Sequence, residues 1–159
     1  GIPYGTAFVK NGYVGRTFIK PKQSSRESSV RVKLNVLREA VEGKRVIMID
    51  DSIVRGTTSD RIVHMLREAG AKEVHMRVSS PPFLWPCYFG TDVPAREQLI
   101  AYNRTVEEIR QVIGADSLGY LDCSRLRQMA GDLPICTGCF TGNYPLDPPM
   151  EDIRGEFEQ

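Results

Sequence analysis

The sequence predicts an α/β fold, and three observations predict it. After Arg45, residues Val46-Ile47-Met48-Ile49 form a continuous apolar run, typical of a strand buried on both faces of a parallel sheet. A stretch from about 58 to 69 then places Ile62, Val63, Leu66 and Ala69 on one side of a helix. Val74-His75-Met76-Arg77-Val78 resumes a strand, so the order strand, loop, helix, strand makes a βαβ unit with a right-handed crossover.

The remaining elements are assigned in chain order. Phe8-Val9 and Tyr13-Val14 flank Lys10-Asn11-Gly12, and Asn-Gly between extended pieces signals a hairpin. Residues 20 to 29 are polar and bury little, so they read as a surface loop. Ser28 or Ser29 would cap a helix over about 30 to 42, where Val30, Leu34, Leu37 and Val41 recur at helical spacing and Gly43 ends the run. Three prolines between Pro81 and Pro86 exclude a regular element there. Short helices are expected over 96 to 101 and 105 to 113, the second capped by Thr105 with Glu107 and Glu108 in its first turn. A last short strand fits 117 to 121 and a short helix 124 to 130, before a proline- and acid-rich tail from 146 to 159 that is expected to be disordered.

Composition bounds the function classes. The chain has 159 residues, 41% hydrophobic and 26% charged, which suits one globular domain with a real core. Twenty-one basic against 20 acidic residues give a net charge of +1, so bulk electrostatics offers nothing to nucleic acid or an anionic membrane. No run approaches the roughly 18 apolar residues that span a bilayer. The first residues show no secretory pattern, and the four cysteines, at 87, 123, 136 and 139, read as thiols or metal ligands of a cytoplasmic protein.

The chemistry concentrates at the end of the strand over 45 to 49. Asp50 and Asp51 stand at the carboxyl edge of the sheet, where open α/β folds bind ligands. Ser52, Arg55, Gly56, Thr57, Thr58 and Ser59 follow, bringing a cation, a glycine, several hydroxyls and the unpaired amides of a helix N-terminus. Such an end holds anions. Paired carboxylates beside an anion site repel a bare phosphate, but they hold hydroxyls or a divalent cation, and a sugar phosphate meets both demands. The competing reading is an ordinary αβ turn with a helix cap, which each element alone allows and the fourteen-residue string from Val46 to Ser59 disfavours. A Walker loop is excluded because no Gly-Lys-Ser/Thr occurs in the loop, and a dinucleotide fingerprint because the second and third glycines are missing.

That string resembles the signature of type I phosphoribosyltransferases, which bind phosphoribosyl pyrophosphate (PRPP) with magnesium. The segments Lys10 to Ile19, Ser29 to Asn35 and Cys136-Thr137-Gly138-Cys139-Phe140-Thr141-Gly142-Asn143-Tyr144-Pro145 narrow the resemblance to the glutamine phosphoribosylpyrophosphate amidotransferases of purine synthesis. The resemblance implies a partial type I phosphoribosyltransferase fold over 1–80, with a helical and irregular extension over 81–145. It implies that ammonia from glutamine displaces pyrophosphate from PRPP. Asp50 and Asp51 would hold the ribose hydroxyls and magnesium, and Ser52 with residues 55 to 59 the 5-phosphate. A flexible loop over about 10 to 33 would close on the substrate, with Lys10, Arg16 and Lys33 neutralising the departing pyrophosphate; each of the three also reads as a solvated surface cation. Further expectations are inhibition by purine nucleotides, a homotetramer, and a glutaminase part not contained in this chain, which alone would be inactive.

Cys136-x-x-Cys139 sets two thiolates within reach of one metal. The resemblance implies that Cys87, Cys136 and Cys139 are three ligands of a 4Fe-4S cluster, with Cys123 a packed thiol. Zinc held by all four cysteines and a redox CxxC stay open on the residues alone. His64 and His75 read as structural, and Phe83 and Trp85 as shielding a metal site or core. Two other functions are weighed. A purine-repressor-like module would need a basic DNA-binding segment, and none is present. A nucleobase phosphoribosyltransferase would end soon after the core sheet, without this cysteine-bearing tail.

Overall fold

The computed structural model describes residues 1–10, 34–90, 95–131 and 133–147. The described residues gather into two compact units that alternate along the chain: one within 1–48, 56–76 and 110–118, the other within 49–55, 77–109 and 119–159. Their strands are β1 (Phe8–Lys10), β2 (Leu34–Val36), β3 (Arg45–Asp50), β4 (Glu73–Val78) and β5 (Ser117–Tyr120). Their helices are α1 (Arg38–Val41), α2 (Thr57–Glu68), α3 (Val106–Val112), α4 (Cys123–Ala130) and α5 (Gly138–Thr141), with a single 3-10 turn at Arg96–Gln98. The expected α/β class holds: β3, β4 and β5 form a parallel sheet in that order, with α2 as the crossover from β3 to β4.

Local sequence explains most of these elements. In α2, Ile62, Val63 and Leu66 are buried while His64 and Glu68 are exposed, the apolar stripe that helical spacing demands. Thr105 and Glu108 form a reciprocal cap at the start of α3: the Thr105 amide and hydroxyl donate to the Glu108 carboxylate at 2.7 and 2.8 Å, and the Glu108 amide donates back to the Thr105 hydroxyl. The expected cap residue is therefore right. At α4 the Asp122 carboxylate accepts from the Ser124 amide at 2.8 Å, so the helix starts at Cys123. In the first unit, Asp116 accepts from the Val74 amide and from Arg67, both at 2.6 Å, tying the start of β4 to the entry of β5.

Three expectations change. The helix expected over 30 to 42 is, where described, strand β2 followed by the single turn α1. Leu34 and Val36 flank a polar Asn35, so the period-2 pattern of a strand was also present there, and pairing decided between the two periods. β2 runs antiparallel to β1, with Phe8 opposite Val36 and Lys10 opposite Leu34, and the Leu37 amide extends the ladder to the Ala7 carbonyl at 2.8 Å. The hairpin partner assigned to Tyr13-Val14 lies outside the described residues; the partner observed for Phe8–Lys10 is β2. Finally, β3 is not covered on both faces: Ile47 and Ile49 are 43% and 76% exposed, and the strand is an edge of the sheet among the described residues. An apolar run shows that both faces suit burial; which layers cover them is not encoded in the run itself.

The second unit packs around Phe83 and Leu99. Val54, Cys87, Tyr102, Cys139 and Phe140 lie against these two side chains, and the Phe83 and Phe140 rings meet at 5.0 Å between centroids. Residues 79 to 90 form neither helix nor strand, as their prolines require.

Candidate functional site

β3 ends on Asp50, whose backbone carbonyl is held by Ser79, through its amide at 2.9 Å and its hydroxyl at 3.1 Å. This pair of bonds fixes the carboxyl end of the strand from which the acidic pair departs. The Asp50 carboxylate accepts from the Asp51 amide at 3.0 Å, and the Ser52 hydroxyl donates to the Asp51 carboxylate at 3.1 Å. Burial pushes the Asp50 pKa above the ordinary carboxylate range; the Asp51 amide opposes that shift and the neighbouring Asp51 charge adds to it. A half-buried carboxylate with one backbone donor is short of partners, and a cation or a ligand hydroxyl would supply them.

The next residues anchor the loop. Ile53 is 2% exposed, the Val54 carbonyl accepts from the Ile100 amide at 2.8 Å, and Arg55 donates through Nε to the Gln98 side-chain oxygen at 3.2 Å. Gly56 then takes φ +83°, a left-handed conformation that costs glycine little and other residues about 1–2 kcal/mol. It is the residue before α2, and the helix has no side-chain cap. Thr57 and Thr58 are exposed, while Ser59 is 2% exposed and sits in the first turn. The amides of this first turn therefore carry no side-chain acceptor, and an anion can take that place.

Of the three cations expected to act on pyrophosphate, Lys10 is an exposed residue at the end of β1, beside Leu34 of β2. Arg16 and Lys33 lie outside the described residues, as does most of the expected flexible loop; its described flanks are the two strands of the antiparallel ribbon. Sequence reasoning passed over Ser79, Gln98, Ser80 and Tyr120. The Ser80 and Tyr120 hydroxyls are buried without a hydrogen-bond partner among the described residues, and both residues follow or end a strand at the sheet's carboxyl edge. Burial raises the Tyr120 pKa to about 12, so its hydroxyl stays a donor at neutral pH. Only their position at the carboxyl ends of β4 and β5 could have flagged these two hydroxyls.

The cysteines occupy the second unit. Cys87 and Cys139 pack in the Phe83–Leu99 cluster, Cys136 is exposed, and Cys123 opens α4. The Cys139 carbonyl accepts from the Leu84 and Trp85 amides at 2.9 and 3.0 Å, which pins the proline loop to α5. Burial pushes the Cys139 thiol up to about 11, and the nearby Cys87, Cys136 and Cys123 thiols push it the same way. The donor set is thus all sulfur, which suits an iron–sulfur cluster or zinc and does not suit magnesium. Among the described residues no three of these side chains converge tightly enough to share one ion. Gly138 is required by close packing: its φ is not positive, but a Cβ would overlap the Tyr144 ring, whose hydroxyl donates to the Pro86 carbonyl at 2.7 Å. For magnesium, Asp50 and Asp51 supply two carboxylates, the usual protein share when a substrate's phosphates complete the shell.

No family model matches the chain. Individual relatives do. An amidophosphoribosyltransferase from Archaeoglobus fulgidus is 56% identical over 158 residues, spanning 97% of this chain and 35% of the relative. One from Bacillus subtilis is 56% identical over 153 residues, spanning 92% of this chain and 32% of the relative. The solved structure of the glutamine phosphoribosylpyrophosphate (PRPP) amidotransferase from B. subtilis, complexed with ADP and GMP, superposes with a TM-score of 0.79 at 54% identity, covering 94% of this chain and 34% of that one. The chain spans about a third of the length of the curated relatives it matches. With identity above one half sustained over nearly all of its residues, and with the same fold, this chain belongs to the amidophosphoribosyltransferase family.

Proposed function

We propose that this chain forms the ribose-phosphate wall of an enzyme that converts PRPP and glutamine-derived ammonia to 5-phosphoribosylamine and pyrophosphate, the committed step of purine synthesis. The observation that carries the reading is the sequence from Asp50, desolvated at the end of β3, to the left-handed Gly56 that opens the uncapped α2. Membership of the family supports the same reaction.

In this reading residues 1–80 supply part of the transferase core and 81–145 a cysteine-bearing extension. Asp50 and Asp51 accept the ribose hydroxyls and hold magnesium, which would neutralise charge on the pyrophosphate. Ser52, Arg55, Gly56, Thr57, Thr58 and Ser59 bind the 5-phosphate through amides, hydroxyls and the guanidinium. Displacement at the anomeric carbon builds negative charge on the leaving pyrophosphate, so Lys10, Arg16 and Lys33 are assigned to stabilise it. Cys87, Cys136 and Cys139 would hold a 4Fe-4S cluster as a structural group. Purine nucleotides are the proposed inhibitors, in line with the ADP and GMP complex of the B. subtilis relative. A homotetramer and a cytoplasmic site of action complete the proposal; no helix among the described residues is long and apolar enough to cross a membrane.

The test is glutamine- and PRPP-dependent pyrophosphate release by the full-length gene product carrying this chain. Replacing both Asp50→Asn and Asp51→Asn should lower turnover by at least ~100-fold. Undiminished turnover would remove these acids from the site. Iron analysis with a visible absorption band near ~400 nm on anaerobically prepared protein tests the cluster; zinc alone would sink it.

A further inference from the structure

Arg55 is the only cation of the signature, and a flexible guanidinium on an exposed loop directs charge poorly unless something orients it. The structure supplies an orienting group from 43 residues downstream, where the Gln98 side-chain oxygen accepts from Arg55 Nε at 3.2 Å. The bond engages the Nε of the guanidinium and not its two terminal amino groups, which together make an edge able to grip an anion. Two residues on, the Ile100 amide donates to the Val54 carbonyl at 2.8 Å, so one short segment holds both the backbone and the side chain of the loop. Leu99, between them, is fully buried against Phe83 with Val54 alongside.

Gln98 is itself placed with some care. It closes the 3-10 turn Arg96–Gln98, and the Gln98 amide donates to the Ala95 carbonyl at 2.9 Å. Arg96, at the start of that turn, lies 3.4 Å over the Trp85 ring and 4.8 Å over Tyr102, and its Nε donates to the Leu84 carbonyl at 3.1 Å. The turn is therefore fastened on one side to an aromatic pair and on the other to the loop.

We infer that Gln98 is a positioning residue for the ribose-phosphate site: it holds Arg55 in the direction from which its terminal amino groups meet the bound phosphate. The inference rests on the proposed PRPP reading of the signature. Its effect falls on substrate binding, because Gln98 touches no reacting atom.

The experiment is a double-mutant cycle on Arg55→Ala and Gln98→Ala in the full-length gene product, reading kcat and KM for PRPP together with thermal unfolding. Gln98→Ala should raise KM for PRPP by about 3- to 10-fold with kcat within about twofold, the loss expected of one exposed hydrogen bond. On the Arg55→Ala background the same replacement should add nothing, because its only route is through the absent guanidinium. Gln98→Glu, which keeps an acceptor of the same length, should retain the bond and bring KM back toward the unaltered value. An equal rise in KM on both backgrounds, or no rise on either, would overturn the inference while leaving the PRPP reading intact. Unaltered protein showing no PRPP-dependent turnover would overturn both.

Discussion

Among the described residues three helices are longer than one turn, and their N-termini are built in two opposite ways. α3 and α4 close their own first turns: Thr105 and Glu108 satisfy each other at one, and Asp122 accepts from the Ser124 amide at the other. α2 does not; a left-handed Gly56 precedes it and no side chain caps it. The acids around them differ in the same sense. Glu108 and Asp122 sit below the ordinary carboxylate range, Glu108 because the Thr105 amide and hydroxyl donate to it, Asp122 because the Ser124 hydroxyl and amide do. Asp50 sits above it, because burial is not matched by donors. On the proposed reading, the helix ends that serve the fold satisfy themselves, whereas the one assigned to the phosphate is left unfinished, at a cost in stability.

The contrast can be broken most forcefully at the acidic pair. Asp50→Asn should reduce PRPP-dependent turnover of the full-length product by ~100-fold or more while raising the unfolding free energy at neutral pH by no more than about 1 kcal/mol, a discounted figure for a partly buried group. Loss of stability together with activity would show that Asp50 serves the fold. The sign follows from its raised pKa: such a group stabilises below the unfolded value and loses that contribution as pH rises through the folded one.

Gly56→Val comes next. A β-branched side chain at φ +83° should cost about 1–3 kcal/mol in chemical denaturation and abolish saturation by PRPP. Asp122→Ala tests the other kind of helix end, lowering the melting temperature by a few degrees and leaving KM for PRPP unchanged. The smallest effect is on acid stability. Glu108 and Asp122 contribute above the ordinary carboxylate value of about 4 and lose that contribution as pH falls through their depressed pKa values. Replacing both by their amides should flatten the decline of melting temperature between about pH 5 and 3; an unchanged profile would mean that these caps carry no net stability.

How much of this was legible beforehand depended on whether the information was local. The βαβ unit and the Thr105 cap were readable because spacing and adjacent residues determine them. The strand end, loop and helix start from Asp50 to Ser59 were readable for the same reason: they are contiguous. The region 34 to 41 was misread because Leu34, Leu37 and Val41 satisfy a helical period, while Phe8 and Ala7, far away in sequence, supply the hydrogen-bonding edge that makes a strand. Gln98 could not be found at all, because its meaning comes from Arg55, 43 residues away. Helix α5 was missed for a related reason, since the four residues Gly138–Thr141 are too few to carry a period.

The exposed isoleucines of β3 bear on how the chain behaves in the tube. Among the described residues β3 is an edge strand, and with Ile47 and Ile49 exposed it invites lateral pairing with whatever strand it meets. When this chain is handled by itself, its shelf life in solution should be governed by that strip of surface, and a lysine at position 49 should prolong it.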